Sequence, residues 1–429
     1  MPIKRIDELT NGSSTLSGDD LVLILDDPNN ASITKYASVS SLINIETKTY
    51  GTITSGVDSI ISGGISNTVN GSYDTISGGK SNIINGSYSN IGGGYSNTLN
   101  GSQSSINGGV WNSIQNSYSI IGGGGYNTNN AYASLVAGGT YNTIQNGASN
   151  SIITGGNNNV IYTGSYTSNI NGGLFNNING FYSTIGGGEH NTNSGNYGTV
   201  NGGRYNTVSS YIGAVGGGAI NTNSAYGGLI AGGYTNTIDN YATYGVISGG
   251  AYNTLDGKYS NILGGKNNST SGYYATVLGG QQTIAYRYGQ VSHSAGSFDS
   301  NPGSAQHTIL IGRIITNDDN LTEITLNGIT EHLYINDNQI LSGTINIVGS
   351  KNNGSSVARY MRQFTVKNVN GTLSIVGSIT TIGADEVSGT SIDIDINNVS
   401  NFLVIKVAGV YNETWRWVCT VDCIEMKFN

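Results

Sequence analysis

Asp393 and Asp395 stand two residues apart in an Ile-Asp-Ile-Asp-Ile run. On an extended strand they share one face about 6–7 Å apart, within the range over which two carboxyl groups act on a glycosidic bond. Alternating Ile and Asp is equally the pattern of any half-exposed strand, and the pair is read as that. Other acids are sparse: residues 59–280 contain only Asp74, Glu189, Asp239 and Asp256. The four histidines, His190, His293, His307 and His332, show no metal-ligand spacing. Cys419 and Cys423 would lie roughly 13 Å apart on one strand face, too far for a disulfide, whose Cα atoms reach about 7 Å; they read as buried apolar filler. The cluster Asp19, Asp20, Asp26 and Asp27 lacks the spacing of a calcium loop and reads as a solvated turn. Glycine runs such as Gly122–Gly125 precede no Lys-Ser/Thr and open no helix, so they cradle no phosphate. No catalytic residue, metal site or cofactor is therefore expected, and the chain is read as not an enzyme. Binding chemistry is left to tyrosines. Tyr162, Tyr166, Tyr241 and Tyr244 sit in lengthened turns beside Asn and Ser. Exposed rings there suit stacking on sugars, or packing against a neighbouring chain. These four are the candidate receptor-binding residues.

The elements that hold those turns are written in a repeat. Gly-Gly pairs begin at residues 63, 78, 93, 108, 123, 138, 155, 172, 187, 202, 217, 232, 249, 264 and 279. Of the fourteen steps between them, eleven are 15 residues and three are 17. An Ile or Val stands two residues before each pair, and an Asn four residues after the first glycine of each complete coil. Inward apolar residues recur at alternating steps of 7 and 8, as in Val69, Ile76, Ile84, Ile91, Leu99 and Ile106. Within each half the period is 2, the mark of a short strand with one face inward. Two short strands and two turns per coil make a parallel β-solenoid, or β-roll, of about fifteen 15-residue coils, roughly 70 Å long at the strand spacing. Glycine is expected to supply the positive φ of the turns, and the inward Asn to hydrogen-bond amide to amide along the axis. The three insertions, at Gln145–Ile152, Tyr162–Asn169 and Asp239–Val246, fall on one edge. Asn129, Asn193 and Asn223 replace inward Ile and invite either further amide ladders or buried water. A helical reading fails, since Asn, Gly and Thr are weak helix formers and no 3.6-residue stripe is present.

Composition agrees with a repeat fold. The 429 residues include 66 Gly and 28 Tyr, and only 10% are charged. A net charge of −8 argues against nucleic acid as a partner. No apolar run is long enough to insert in a membrane, and the Met-Pro-Ile-Lys-Arg start shows no signal peptide, so synthesis in a host cytoplasm without secretion is expected. Two large apolar residues per coil make a thin core, so three rolls sharing an axis, a homotrimer, are expected.

The Asn/Ser-x-Ile-x-Gly half-repeats over residues 50–285 resemble the head repeats of trimeric autotransporter adhesins and collar-like repeats of bacteriophage tail fibres. They prefer Ile and Asn where the adhesins favour Ala. Residues 1–48, with Asp19-Asp20-Leu21-Val22-Leu23-Ile24-Leu25 followed by Thr34-Lys35-Tyr36-Ala37-Ser38, resemble short N-terminal modules of phage tail and fibre proteins. That resemblance implies docking to other virion (tail or capsid) proteins.

Four segments are thus expected. They are a docking module (1–48), a solenoid shaft (49–285), a Gly- and Ser-rich connector (286–306) and a C-terminal β-sandwich (307–429) of about eight strands. The all-β chain as a whole reads as a structural fibre protein of a phage virion that attaches to a host-surface glycan or protein. The alternatives are a tailspike-type polysaccharide depolymerase and a bacterial surface adhesin.

Overall fold

The computed structural model describes residues 21–25, 34–38, 51–54, 57–387 and 389–428. The docking role expected of residues 1–48 and the cluster Asp19, Asp20, Asp26 and Asp27 lie mostly or wholly outside them. Strands β1 (Leu21–Leu25) and β2 (Thr34–Ser38) pair antiparallel.

The shaft is a parallel β-solenoid. One row of strands forms a 16-stranded parallel sheet, and a second row continues into the C-terminal domain. A third line of single bridges, Ile65 to Lys80 to Tyr95 and on to Gln281, runs between them. Pairing is in register at every step, as in Ser105 opposite Ile120 and Ile106 opposite Ile121. Most coils bury two apolar residues completely, such as Leu99 and Ile106, and each such side chain contributes about 1.5–3 kcal/mol.

The coil corners explain why the chain can keep turning in one plane. Strand N–H groups point to the next coil, as in Thr98 N–H to Asn112 O at 2.9 Å. Corner N–H groups point back to the preceding coil, as in Gln103 N–H to Ser87 O at 2.8 Å and Trp111 N–H to Tyr95 O at 2.9 Å. A left-handed backbone at the corner reverses the peptide and so the direction of the bond. Gln103 (φ 55°) and Trp111 (φ 56°) adopt it, as do most residues at both corners. Positive φ is therefore shared between glycine and non-glycine residues, tyrosine prominent among them. Glycine is required where coils touch: at Gly94 (φ 93°) an added Cβ would sit 2.0 Å from Gly109 O.

The inward asparagines bind mainly to backbone. Asn97 Oδ1 accepts the Asn112 N–H at 3.0 Å, while its Nδ2 donates to Gly93 O at 3.0 Å and Gly109 O at 2.9 Å. An amide-to-amide contact, Asn97 Nδ2 to Asn82 Oδ1 at 3.1 Å, accompanies these bonds. Asn129 and Asn223 do not ladder. Each spans its own coil, with Asn129 Nδ2 donating to Ser134 O at 2.9 Å and Asn223 Nδ2 to Gly228 O at 2.6 Å. Asn193 Nδ2 instead donates back to Thr184 O of the preceding strand at 3.2 Å.

Residues 286–306 are built into both neighbours. Strand β3 (Val291–Ser294) pairs parallel with the shaft strand Thr276–Gly280, the last of the second row, and antiparallel with β4 (Ala305–Thr316). Beyond it lies an all-β domain of two sheets. The large sheet runs β4 to β14 (Trp415–Lys427) to β7 (Gln339–Lys351) to β8 (Val357–Val369), with the short β9 (Thr372–Ile375), β10 (Thr380–Thr381) and β11 (Glu386–Val387) along the far side of β8, all antiparallel. The small sheet is centred on β13 (Phe402–Ala408). Strand β12 (Ser391–Asn397) lies on one side of it, and β5 (Thr322–Glu323) and β6 (Leu333–Tyr334) lie end to end on the other. Between the sheets Leu341, Ile345, Phe364, Trp415 and Trp417 meet Leu403, Ile405 and Val407. Cys419 and Cys423 are free and buried in that core, and burial pushes the Cys419 thiol up to about 12. Among the described residues no helix is long and apolar enough to cross a membrane.

Candidate functional site

Side chains with binding or acid–base chemistry gather on the insertion-bearing edge of the shaft and on the outer face of the small sheet.

The three lengthened turns fall on one corner of the solenoid, and a column of aromatic rings follows that corner. Tyr166, Tyr182, Tyr197, Tyr211, Tyr226, Tyr244, Tyr259, Tyr274 and Tyr288 touch in unbroken succession. Phe181 stacks on Tyr166 with ring centroids 5.0 Å apart. Crowding raises the phenol pKa of Tyr197, first through desolvation, and that of Tyr244, first through a hydrogen bond to Tyr226. Of the four predicted receptor-binding residues, Tyr166 and Tyr244 belong to this column. Each stacks on one neighbour in the same chain, Tyr166 on Phe181 and Tyr244 on Tyr259, and both remain partly exposed. Tyr162 and Tyr241 have no ring contact among the described residues, and Tyr241 is 71% exposed. The turns bring Tyr162 and Tyr166 together, and Tyr241 and Tyr244 together; the two pairs lie several coils apart.

The outer face of the small sheet follows from strand alternation. With Ile392, Ile394, Ile396, Leu403 and Ile405 turned to the core, Asp393, Asp395, Asn397, Phe402, Val404 and Lys406 turn outward. Register sets Lys406 opposite Asp393 on one side and Glu323 on the other. Lys406 Nζ reaches Asp393 Oδ2 at 3.4 Å. Glu323 Oε1 pairs instead with His332 Nδ1 at 2.7 Å, and the His332 ring lies flat on Phe402, centroids 4.2 Å apart. Asp395 Oδ1 accepts the Ile396 N–H at 2.8 Å. A cavity of 350 Å³ opens here, lined by Glu323, Asp395, Asn397, Phe402, Val404 and Lys406. Strand spacing and register put the Cα atoms of Glu323 and Asp395 about 12 Å apart.

The Asp393–Asp395 pair is thus split in use. Asp393 is engaged by Lys406, and Asp395 faces Glu323 across the cavity. Sequence reasoning missed Glu323, His332 and Lys406. Nothing in their local sequence marks them, since β5 and β13 meet only through long-range pairing. The arrangement places a carboxyl hydrogen-bonded to an imidazole on one wall and a second carboxylate on the other, in a mainly polar cavity. It can hold a polar ligand and move a proton.

No protein-family model matches the chain, and no curated protein matches it. Among solved structures it is similar to phage tailspikes. One is tailspike protein gp49 from Acinetobacter baumannii bacteriophage Fri1, described as a capsular polysaccharide depolymerase, at 9% identity over 95% of this chain and 75% of that chain, TM-score 0.24. The tailspike of Acinetobacter baumannii phage AM24 is 8% identical over 87% of this chain and 75% of that chain, TM-score 0.21. The tailspike of Acinetobacter phage vB_ApiP_P1 is 11% identical over the whole of both chains, TM-score 0.23. The expectation that this chain is not an enzyme is corrected here: the Fri1 protein is a depolymerase, an enzyme. These TM-scores transfer no residue role. Acids are scarce in the shaft, and Glu323 comes to the face of Asp393 and Asp395 only through the pairing of distant strands.

Proposed function

We propose that the chain is a tailspike-type virion protein of a bacteriophage, directed at the surface polysaccharide of its bacterial host. The observation that carries this reading is the cavity between Glu323 and Asp395, set in a domain at the end of a rigid solenoid shaft. Cleavage of the polysaccharide is the activity this site supports best. Two carboxyl groups flanking a cavity are the requirement of glycoside hydrolysis, and a spacing that leaves room for a water between them suits inversion. In this reading Glu323, backed by His332, donates the proton to the leaving oxygen, and Asp395 activates the water. Residues 1–48 dock the protein on the particle, as their resemblance implies. Three copies act together, a reading supported by the apolar stripe Ile120, Leu135 and Ile152 on the outer face of successive coils. Tyr162 and Tyr241 are secondary contacts for the same polysaccharide.

Incubation with capsular polysaccharide of the host, following new reducing ends, tests the activity. Glu323→Gln and Asp395→Asn are each expected to lower release about 100-fold or more while leaving binding within a few fold. Full release by both variants would remove the site from the reaction.

A further inference from the structure

We propose that the polysaccharide is acidic, and that Arg313 and Arg416 hold its carboxylate; this rests on the polysaccharide-directed reading above. The two residues lie on the outer face of the large sheet. Register sets Arg313 opposite Val418 and Ile315 opposite Arg416, so the arginines are diagonal neighbours about 7–8 Å apart. Both are exposed.

Among the described residues, no acid lines the cavity beside them. Arg287, Arg359, Arg362, Lys351 and Lys406 each pair with a carboxylate. Arg313 and Arg416 have no side-chain hydrogen bond or ion pair among the described residues. In a chain of net charge −8, two adjacent guanidiniums left without an acid repel one another, and an anion placed between them relieves that cost.

The site is also shaped. Arg313 lies along the turn at Gly328 (φ 82°), where an added Cβ would come within 3.2 Å of its Cγ and Nε. That turn is fastened by Asn327, whose Oδ1 accepts the N–H groups of Ile329, Thr330 and Glu331 at 2.8–3.0 Å. A cavity of 530 Å³ opens beside the arginines, walled by Ile315, Ile329 and Val418. That volume falls in the range of small-molecule sites. Guanidinium forks match a carboxylate in a bidentate fashion, and the apolar wall accepts the C–H face of a sugar ring. A sugar acid presents both features on one ring; a neutral hexose presents only the second.

The test uses the full chain and three carboxylated polysaccharides, polygalacturonate, hyaluronate and polysialic acid, each beside its carboxyl-reduced form, with binding measured by calorimetry at two salt concentrations. Binding of at least one acidic polymer is expected, tenfold or more tighter than its reduced form. It should weaken with salt and fall tenfold or more in Arg313→Gln and in Arg416→Gln. Equal binding of acidic and reduced forms, or unchanged binding by the double variant, overturns this inference and leaves the polysaccharide-directed reading standing. Failure to bind any polymer, host capsular polysaccharide included, overturns both. If the variants instead alter oligomer mass in sedimentation and leave glycan binding unchanged, the face is a contact between copies and the inference falls.

Discussion

Asp74 is the residue whose chemistry departs most from its repeat. In several coils the inward position at the entry to the second strand is Ser. Ser89 Oγ, for example, donates to Gly101 O at 3.1 Å. Asp74 takes that position one coil earlier. Its Oδ1 accepts the Ser89 N–H at 2.8 Å, but Oδ2 is buried without a partner, crowding the same point beside Gly71 as Gly86 O. Only a protonated carboxyl can donate to that carbonyl as serine does. Burial raises the Asp74 pKa from 3.8, and the Ser89 hydrogen bond opposes the rise without cancelling it. A raised carboxyl pKa favours the folded, protonated form. The stability it lends is full below the ordinary value and is lost as pH rises through the raised one. Asp74→Ser is expected to melt higher than the parent at pH 8, with the gap closing at pH 4. A gap that is the same at both values, read by calorimetry, would show that the carboxyl does not titrate in this window.

The shaft elements were legible in the sequence because their pairings are local and periodic. Ile106 and Ile121 lie one period apart in the chain and one coil apart in the structure, so reading one coil reads all of them. The corner backbone was less so, since the left-handed positions carry Tyr, Ser, Gln, Trp and Asn alike. The C-terminal site was scarcely legible beyond the Asp393–Asp395 strand, because Glu323, Asp395 and Lys406 share a face only once three distant segments pair. The joint was hidden for the same reason. Arg287, read within a connector, is fully buried against Glu425, Nη1 to Oε1 at 2.6 Å across 138 residues of chain. Gln339 donates to the other carboxylate oxygen at 2.6 Å, and Tyr286 donates to Gln339 at 2.9 Å. Removing one partner strands the other charge in the interior, so Glu425→Ala is expected to cost about 3–5 kcal/mol. Arg287→Met combined with Glu425→Leu should recover most of it. Denaturant unfolding followed through Trp415 and Trp417 measures both; a cost below about 1 kcal/mol for the single variant would make the network ornamental.

At the scale of the whole molecule, each coil touches only the coils before and after it, so stability is close to a sum of nearest-neighbour terms. Damage should therefore stay local. Gly94→Val forces a branched residue to φ 93° and drives its Cβ toward Gly109 O. Hydrogen exchange is expected to show lost protection in the coils flanking residue 94, with protection kept from about residue 155 onward. Loss along the entire shaft would mean that the solenoid folds as one cooperative block.

The uniform coil also makes length a heritable variable separate from everything else. Eleven of the fourteen steps are 15 residues, so gain or loss of one repeat by unequal recombination stays in frame. It lengthens or shortens the shaft by about 4.8 Å and leaves the joint at Arg287 untouched. On the reading proposed above, a phage lineage carrying this gene would adjust how far the C-terminal domain stands from the virion in small, neutral increments, matching the depth of the bacterial coat without altering the chemistry of that domain.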